Sequence, residues 1–418
     1  MTVKFLKKTG LTILIPIITG VVIMTLLACA YLLPTDRMKE HLRTTADVLE
    51  KEGTYFQITG EKGERHDNFT EAVYLSQAIV GMQDADLLSL VMNNYEFVHK
   101  DPGDPIEGVI TAVNDPESVH LDDSYIRFFS GWLIILKPLL LVMGYTGVRM
   151  VCAYSCLLGT FVLCMLMYRR GLGKYIVSVL LSVLFLRPIA VWMSMAFAGI
   201  YLCMLIPCIA MLLMKKETLR QKAWLLFGLA GCITFSFNMN YFQLICFGVP
   251  MLFYYLIVGP EKPAELLKIT LNLFAAWMIG YAGMMLFKWT AYSAATGTNV
   301  FEKMIHHALW RSGVDEGSRF ETITRNVGTA FGNIWWDLLE IGFVAWILIQ
   351  WKKAGGIITV FAAEVLLLVI TVLMPVIRVA ILANHSIHHA DFVYRVFMIP
   401  VLAFNFLLVK RTMRTGSV

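Results

Sequence analysis

Four stretches of this 418-residue chain gather side chains that can move a proton or hold an anion. The first is His66-Asp67-Asn68-Phe69-Thr70-Glu71-Ala72-Val73-Tyr74. An Asp there can take a proton from a hydroxyl, and the apolar positions after it recur at helical spacing. Asp67 therefore reads either as a general base or as the N-cap of a helix lying along a membrane surface. The second stretch, Asp122-Asp123-Ser124-Tyr125-Ile126-Arg127, runs into an apolar segment with Lys137 and Pro138 in its middle. Paired acids beside an Arg and aromatics could bind a metal or orient a polar lipid head, with Arg127 or Lys137 against a phosphate. The same residue types also serve as plain interface anchors.

The third stretch carries Lys303, His306, His307, Arg311 and Arg319. Phe301, Met304, Ile305, Ala308 and Leu309 share one helical face, while Lys303, His307 and Arg311 at i, i+4, i+8 form a cationic one. That face suits anionic headgroups or a phosphate carrier. The fourth is Asn384-His385-Ser386-Ile387-His388-His389-Ala390-Asp391-Phe392-Val393-Tyr394-Arg395, with Arg378 nearby. Its His-x-x-His-His run lacks a convincing third zinc ligand, so no metal is assigned. Arg395 falls one turn inside an apolar run, where a cation needs a protein cavity and an anion, which makes a functional site the default reading.

The elements that must position these residues follow from composition. The chain is 58% hydrophobic and only 16% charged, which excludes disorder and argues against a soluble enzyme. The net charge of +5 is dispersed over many loops, so it speaks for membrane topology and against nucleic acid. All eight cysteines lie inside apolar runs and read as small buried hydrophobes.

After Lys4, Lys7 and Lys8, the run 11–33 has about 23 residues, too long for a signal-peptide core, and is taken as a retained first span. A polar stretch over 34–127 follows. The segment 128–143 is short for a crossing, and leaving it uncrossed puts every later basic loop on one side. Further spans are expected at 148–168, 175–188, 192–214, 223–238, 241–258, 266–288, 335–351, 356–374 and 392–409. The connections rich in Lys and Arg (169–174, 215–222, 262–268, 352–353 and 410–414) then all face the cytoplasm. The expected fold is an all-α polytopic membrane protein, a single transmembrane domain over 1–418. It has about ten transmembrane helices, a large outer first loop (34–146) with interfacial helices, a second outer loop (289–334) and both termini cytoplasmic in the cell membrane. All four chemistry-bearing stretches then lie on the outer side. The cytoplasmic side offers no glycine-rich phosphate loop, so an enzyme built this way needs a membrane-carried substrate.

This layout resembles the GT-C superfamily of integral membrane glycosyltransferases: one span, a large outer loop with an acidic motif (His66-Asp67 before Thr70-Glu71-Ala72-Val73-Tyr74), many further spans and a basic outer loop near the carboxyl end. The segments Tyr125-x-Arg127-Phe-Phe-x-Gly131 with Leu-Lys137-Pro138-Leu-Leu, and Asn384-His385-Ser386-x-x-His388 with Tyr394-Arg395, are similar to segments in such membrane proteins of Gram-positive bacteria. Asp67-Asn68 departs from the usual Asp-Glu or Asp-Asp pair, which leaves a divalent metal without a clear ligand set. The resemblance implies a polyprenyl-phosphate sugar as donor, a cell-envelope glycan, lipid or protein as acceptor, and a single inverting displacement. Asp67 would be the general base. Arg395, helped by Arg127 or Lys303, would hold the departing lipid phosphate, and His66, Tyr125, His385 and His388 would orient substrate.

Two other classes compete. A transporter or lipid flippase would line a path with Arg187, Glu340, Glu364 and Arg378, yet no internal repeat is present and the polar residues gather on one side. Another envelope-polymer transferase would use one of the histidines as base.

Overall fold

The computed structural model describes residues 2–99, 104–239, 241–259, 262–353 and 361–412. It is almost entirely helical. Its one small sheet, among the described residues, pairs Glu96–His99 antiparallel with Val119–Asp122, placing Glu96 opposite Asp122. Among the described residues, seven helices are long and apolar enough to cross a membrane: Ile13–Tyr31, Tyr145–Arg169, Met195–Leu213, Pro263–Thr296, Ile334–Lys353, Ala362–Ile381 and Ala390–Arg411. The chain is therefore a multi-pass, all-α membrane protein. Of the three other expected spans, two coincide with shorter apolar helices, Gly173–Phe185 and Ile245–Val258. The third coincides with the helix Lys216–Phe237. The start of the span expected at 356–374 and the last basic residue, Arg414, lie outside the described residues.

Small residues let two of these helices meet backbone to backbone. A Cβ on Gly280 would collide with the Gly228 carbonyl, and one on Gly231 with the Trp277 carbonyl. This locks Lys216–Phe237 against Pro263–Thr296 by the close approach typical of membrane helix pairs. The latter has 34 residues, about 51 Å at 1.5 Å per residue, against about 30 Å of hydrocarbon. Near its carboxyl end the buried Lys288 Nζ donates to the carbonyls of Val91 (3.0 Å) and Met92 (2.8 Å).

The described residues of 34–146 include several short capped helices. Asp67 caps Asn68–Ile79, Asp86 caps Leu87–Asn93, and Asp104 with Pro105 at the first position starts Pro105–Asn114. The surface helix expected after Asp67 is instead enclosed: every residue from Thr70 to Ile79 is buried. Enclosure is tolerable because its polar side chains are satisfied internally. Glu71 accepts from Ser194 Oγ (2.9 Å) and the Ala196 amide (3.1 Å), at the start of the helix Met195–Leu213. Ser76 exchanges hydrogen bonds with the Phe97 backbone, and Gln77 donates to the Asn94 carbonyl. The segment 128–143 holds a helix of only eight residues, Leu133–Leu140, about 12 Å long and too short to cross. Its Lys137 is wholly buried and donates to the carbonyls of Ala78 (2.7 Å) and Val80 (2.9 Å), at the end of Asn68–Ile79.

In 289–334, Phe301–Ser312 and Arg319–Ala330 are separate helices. Of the face expected to be apolar, Met304 is buried, while Ile305 and Leu309 are exposed. Five of the eight cysteines are buried and none is bridged.

Candidate functional site

The acidic motif begins at Asp67, which is 1% exposed. One carboxylate oxygen accepts the Thr70 amide (3.2 Å); the other accepts the Thr70 hydroxyl (2.7 Å) and the Tyr241 phenol. Thr70 Oγ1 and Tyr241 Oη are also 2.6 Å apart, closing a three-membered network. Burial pushes the Asp67 carboxyl above its ordinary range, against the pull of the Tyr241 and Thr70 hydrogen bonds.

Tyr241 and Thr70 face a cavity of about 200 Å³ that Asp67 itself does not line. The other polar walls are Tyr55, Tyr125, Arg127, Arg311, His385 and His389. The site is thus assembled from both polar segments, from the connection after Lys216–Phe237 and from the histidine-rich turn. Asn384 fixes that turn to the Arg311 helix: its side chain donates to the Trp310 carbonyl (3.1 Å) and its amide to the Gly313 carbonyl (3.1 Å). Arg378 ties the turn to Tyr241, donating to Ser386 Oγ (3.0 Å) and to the Tyr241 carbonyl.

Neither cavity arginine forms an ion pair with a described residue, although the charge of Glu96 reaches Arg127. Arg311 makes no hydrogen bond or ion pair with any described residue. Arg127 donates once, to the Ser124 carbonyl (2.7 Å), leans on the rings of Tyr125 and Phe128, and keeps a buried Nε with no partner among the described residues. Burial, reinforced by the charge of Arg311, lowers Arg127 to about 10; burial also lowers Arg311. Burial and then the charges of Arg311, His388 and Arg378 press His389 down to about 4, so it is neutral at neutral pH. A concave site with two guanidiniums, neutral imidazole and phenols is deficient in negative charge, which a phosphate-type anion would supply.

The expected site residues divide accordingly. Tyr125, Arg127 and His385 line the cavity. Asp67 lies one residue behind its wall, so its carboxylate meets the cavity only through Tyr241 and Thr70. Arg395 requires a correction. It is wholly buried away from the cavity wall, with its donors on the carbonyls of Leu186 (3.0 Å), Gly63 (2.9 Å) and Asp391 (3.2 Å), and its face against Phe197 and Tyr394. Lys303 stands 3.8 Å from Asp123 on an exposed rim. His66 is buried beside Glu52, 3.9 Å away, and His388 stacks on Trp310 at the surface. Asn68, where an acidic partner of Asp67 was expected, points instead into an ion-pair network. Arg149 donates to both Glu52 carboxylate oxygens at 2.7 Å and to Asn68 Oδ1 at 2.9 Å.

Tyr241, Thr70 and Tyr55 were not expected as site residues, while His389 and Arg311 stood among the chemistry-bearing residues without an assigned role. Tyr241 had a signal: Asn238-Met239-Asn240-Tyr241-Phe242-Gln243 is a polar island between two apolar runs. Among the described residues, no three His, Cys, Asp or Glu side chains converge as a metal site. The fold and site define a polytopic membrane protein with a cationic cavity at its polar end. No protein-family model, curated protein or solved structure gives a significant match to the chain.

Proposed function

We propose that this protein is a membrane glycosyltransferase of GT-C type, which transfers a sugar from a polyprenyl-phosphate donor to a cell-envelope acceptor at the outer face. The observation that carries the reading is the pair Arg127 and Arg311, on one cavity without a carboxylate partner and adjoining the Asp67–Tyr241–Thr70 network. The two guanidiniums hold the lipid phosphate and stabilise the charge it gains as the bond to the sugar breaks. The acceptor hydroxyl attacks the anomeric carbon from the opposite side, with inversion. Its proton passes to Tyr241 Oη as the phenol proton passes to Asp67, so Asp67 is the final proton acceptor and Tyr241 the group touching substrate. Tyr125 and His385 orient the sugar from the wall. Arg395 and His66 stand outside this scheme.

In this reading the chain crosses ten times, the seven long helices being joined by Gly173–Phe185, Lys216–Phe237 and Ile245–Val258, with both termini in the cytoplasm. The sidedness of the basic connections supports that count.

The test compares envelope glycans and lipid-linked sugar pools in a deletion strain complemented with wild type, Arg311→Gln or Asp67→Ala. The expected result is loss of one envelope sugar with accumulation of its lipid-linked donor in the deletion strain, corrected by wild type alone. Full restoration by both variants would remove this cavity from the chemistry.

A further inference from the structure

His389 occupies an unusual position on the cavity wall. Its ring makes no side-chain hydrogen bond to any described residue. It lies 4.8 Å from the His385 ring, 5.6 Å from the Tyr241 ring at a right angle, and 6.3 Å from Phe392. The charged and titratable groups facing it can be named element by element. Arg311 comes from Phe301–Ser312, Arg378 from Ala362–Ile381, His385 and His388 from its own turn, and Tyr241 from the connection after Lys216–Phe237. Arg127, Tyr125 and Tyr55 complete the wall, and Asp67 is screened behind Tyr241. Asp391, two residues on, is engaged by Arg65 at 2.9 Å. Every charged group with direct access to the ring is therefore a cation, and protonating it without an anion present adds a like charge.

We propose that His389 is the proton-carrying group of this cavity: neutral in the unliganded protein, it takes a proton from solvent when a doubly charged phosphate-type group sits between Arg127 and Arg311. The inference rests on the anion-holding reading above and adds a role to it. A sugar phosphodiester carries one negative charge, and the lipid phosphate left when the sugar departs carries two. A proton drawn from solvent onto His389 offsets that gain while the acceptor's own proton goes to Asp67, so charge and atoms balance without a further co-reactant. His389 then favours the leaving group over the donor, the direction that helps catalysis.

Sulfate is the probe, because it keeps both charges across the range used and any pH dependence belongs to the protein. Binding to the purified full chain at low ionic strength is followed by titration calorimetry in two buffers of different ionisation heat. Anion binding raises the imidazole's affinity for its proton, so the added sulfate affinity is present at low pH and is lost as pH rises through the value for the bound state. The linkage slope is up to about tenfold per pH unit. Wild type is expected to take up close to one proton per sulfate at about pH 6 and to bind about tenfold or more tightly at pH 5 than at pH 7. His389→Gln should bind within about threefold of wild type at pH 7, with no proton uptake and a flat pH profile. His388→Gln should keep the uptake. If His389→Gln does not fold, His389→Asn takes its place.

Sulfate binding that Arg311→Gln weakens at both pH values, but with no uptake by wild type or with uptake unchanged in the His389 variant, overturns the role of His389 and leaves the anion reading standing. No sulfate binding, or binding indifferent to Arg311→Gln, overturns both.

Discussion

Two sets of wholly or partly buried cations in this protein carry opposite meanings. At helix ends away from the cavity, their donors are spent on main-chain carbonyls. Lys137 serves the end of Asn68–Ile79, Lys288 the end of Leu87–Asn93, Arg170 the end of Met195–Leu213, and Arg395 the carbonyl of Leu186 just past Ile176–Phe185. A helix C-terminus presents unpaired carbonyls and a partial negative charge, so a cation there is satisfied without a buried carboxylate. At the cavity, Arg311 has no such partner and Arg127 has one. In a chain with few acids, burial of a basic residue therefore says little by itself; what separates architecture from site is whether the donors have been used.

That comparison can be broken most directly at Arg395. Arg395→Ala takes donors from carbonyls on three segments, of which Gly63 keeps only the long bond from Tyr394 Oη (3.4 Å), and each carbonyl left unmet costs about 1–3 kcal/mol. The expected result is a fall of about 3 kcal/mol or more in stability, read as a large drop in thermal midpoint in detergent, with unchanged sulfate affinity in the protein that survives. Preserved stability with lost sulfate binding would reverse the assignment. Lys137→Met should behave alike but less severely, by about 2 kcal/mol, because its thioether fills the space and leaves the two carbonyls of Ala78 and Val80 unmet.

Arg311→Gln should do the opposite. Stability stays within about 0.5 kcal/mol, as for a side chain with no partner to lose, while sulfate affinity drops by about 2 kcal/mol, or roughly thirtyfold. Glu52 sharpens the contrast, because here a buried cation does have an acid. Burial raises the Glu52 carboxyl, but His66 and Arg149 outweigh it and bring it from 4.5 to about 2. A folded-state value below the unfolded one stabilises fully above about pH 4.5, and that contribution is lost as pH falls toward 2. Thermal midpoints of wild type should decline over that window more steeply than those of Glu52→Gln. The smallest effect is expected at the rim: Lys303→Gln breaks an exposed pair with Asp123 and should change stability by less than about 0.5 kcal/mol.

Sequence patterning made the membrane helices legible because hydrocarbon imposes both length and composition on a span. It also located the helix start at Asp67 and brought Tyr125, Arg127 and His385 forward as residues to watch. It misjudged the helix after Asp67, since apolar spacing at 69–79 suits one surface or full enclosure alike. Only the placement of Ser194, Ala196, Phe97 and Asn94 shows that Glu71, Ser76 and Gln77 can be buried. Arg395 was misplaced for a related reason. An Arg inside an apolar run must be satisfied, but whether by an anion or by Leu186 and Gly63 depends on segments hundreds of residues apart in the chain.

By itself, the sequence determined that this chain is a bundle of apolar helices with most of its scarce charge in connecting segments, because transfer of charged side chains into hydrocarbon is costly. Tertiary structure alone decided which of those charges are free. Tyr241 reaches Asp67 from 174 positions away, and Arg311 joins Arg127 on one wall where neither forms an ion pair with a described residue. A side chain's chemistry there is set by which partners have already claimed its hydrogen-bonding groups, and those partners are distant in sequence and adjacent only in the fold.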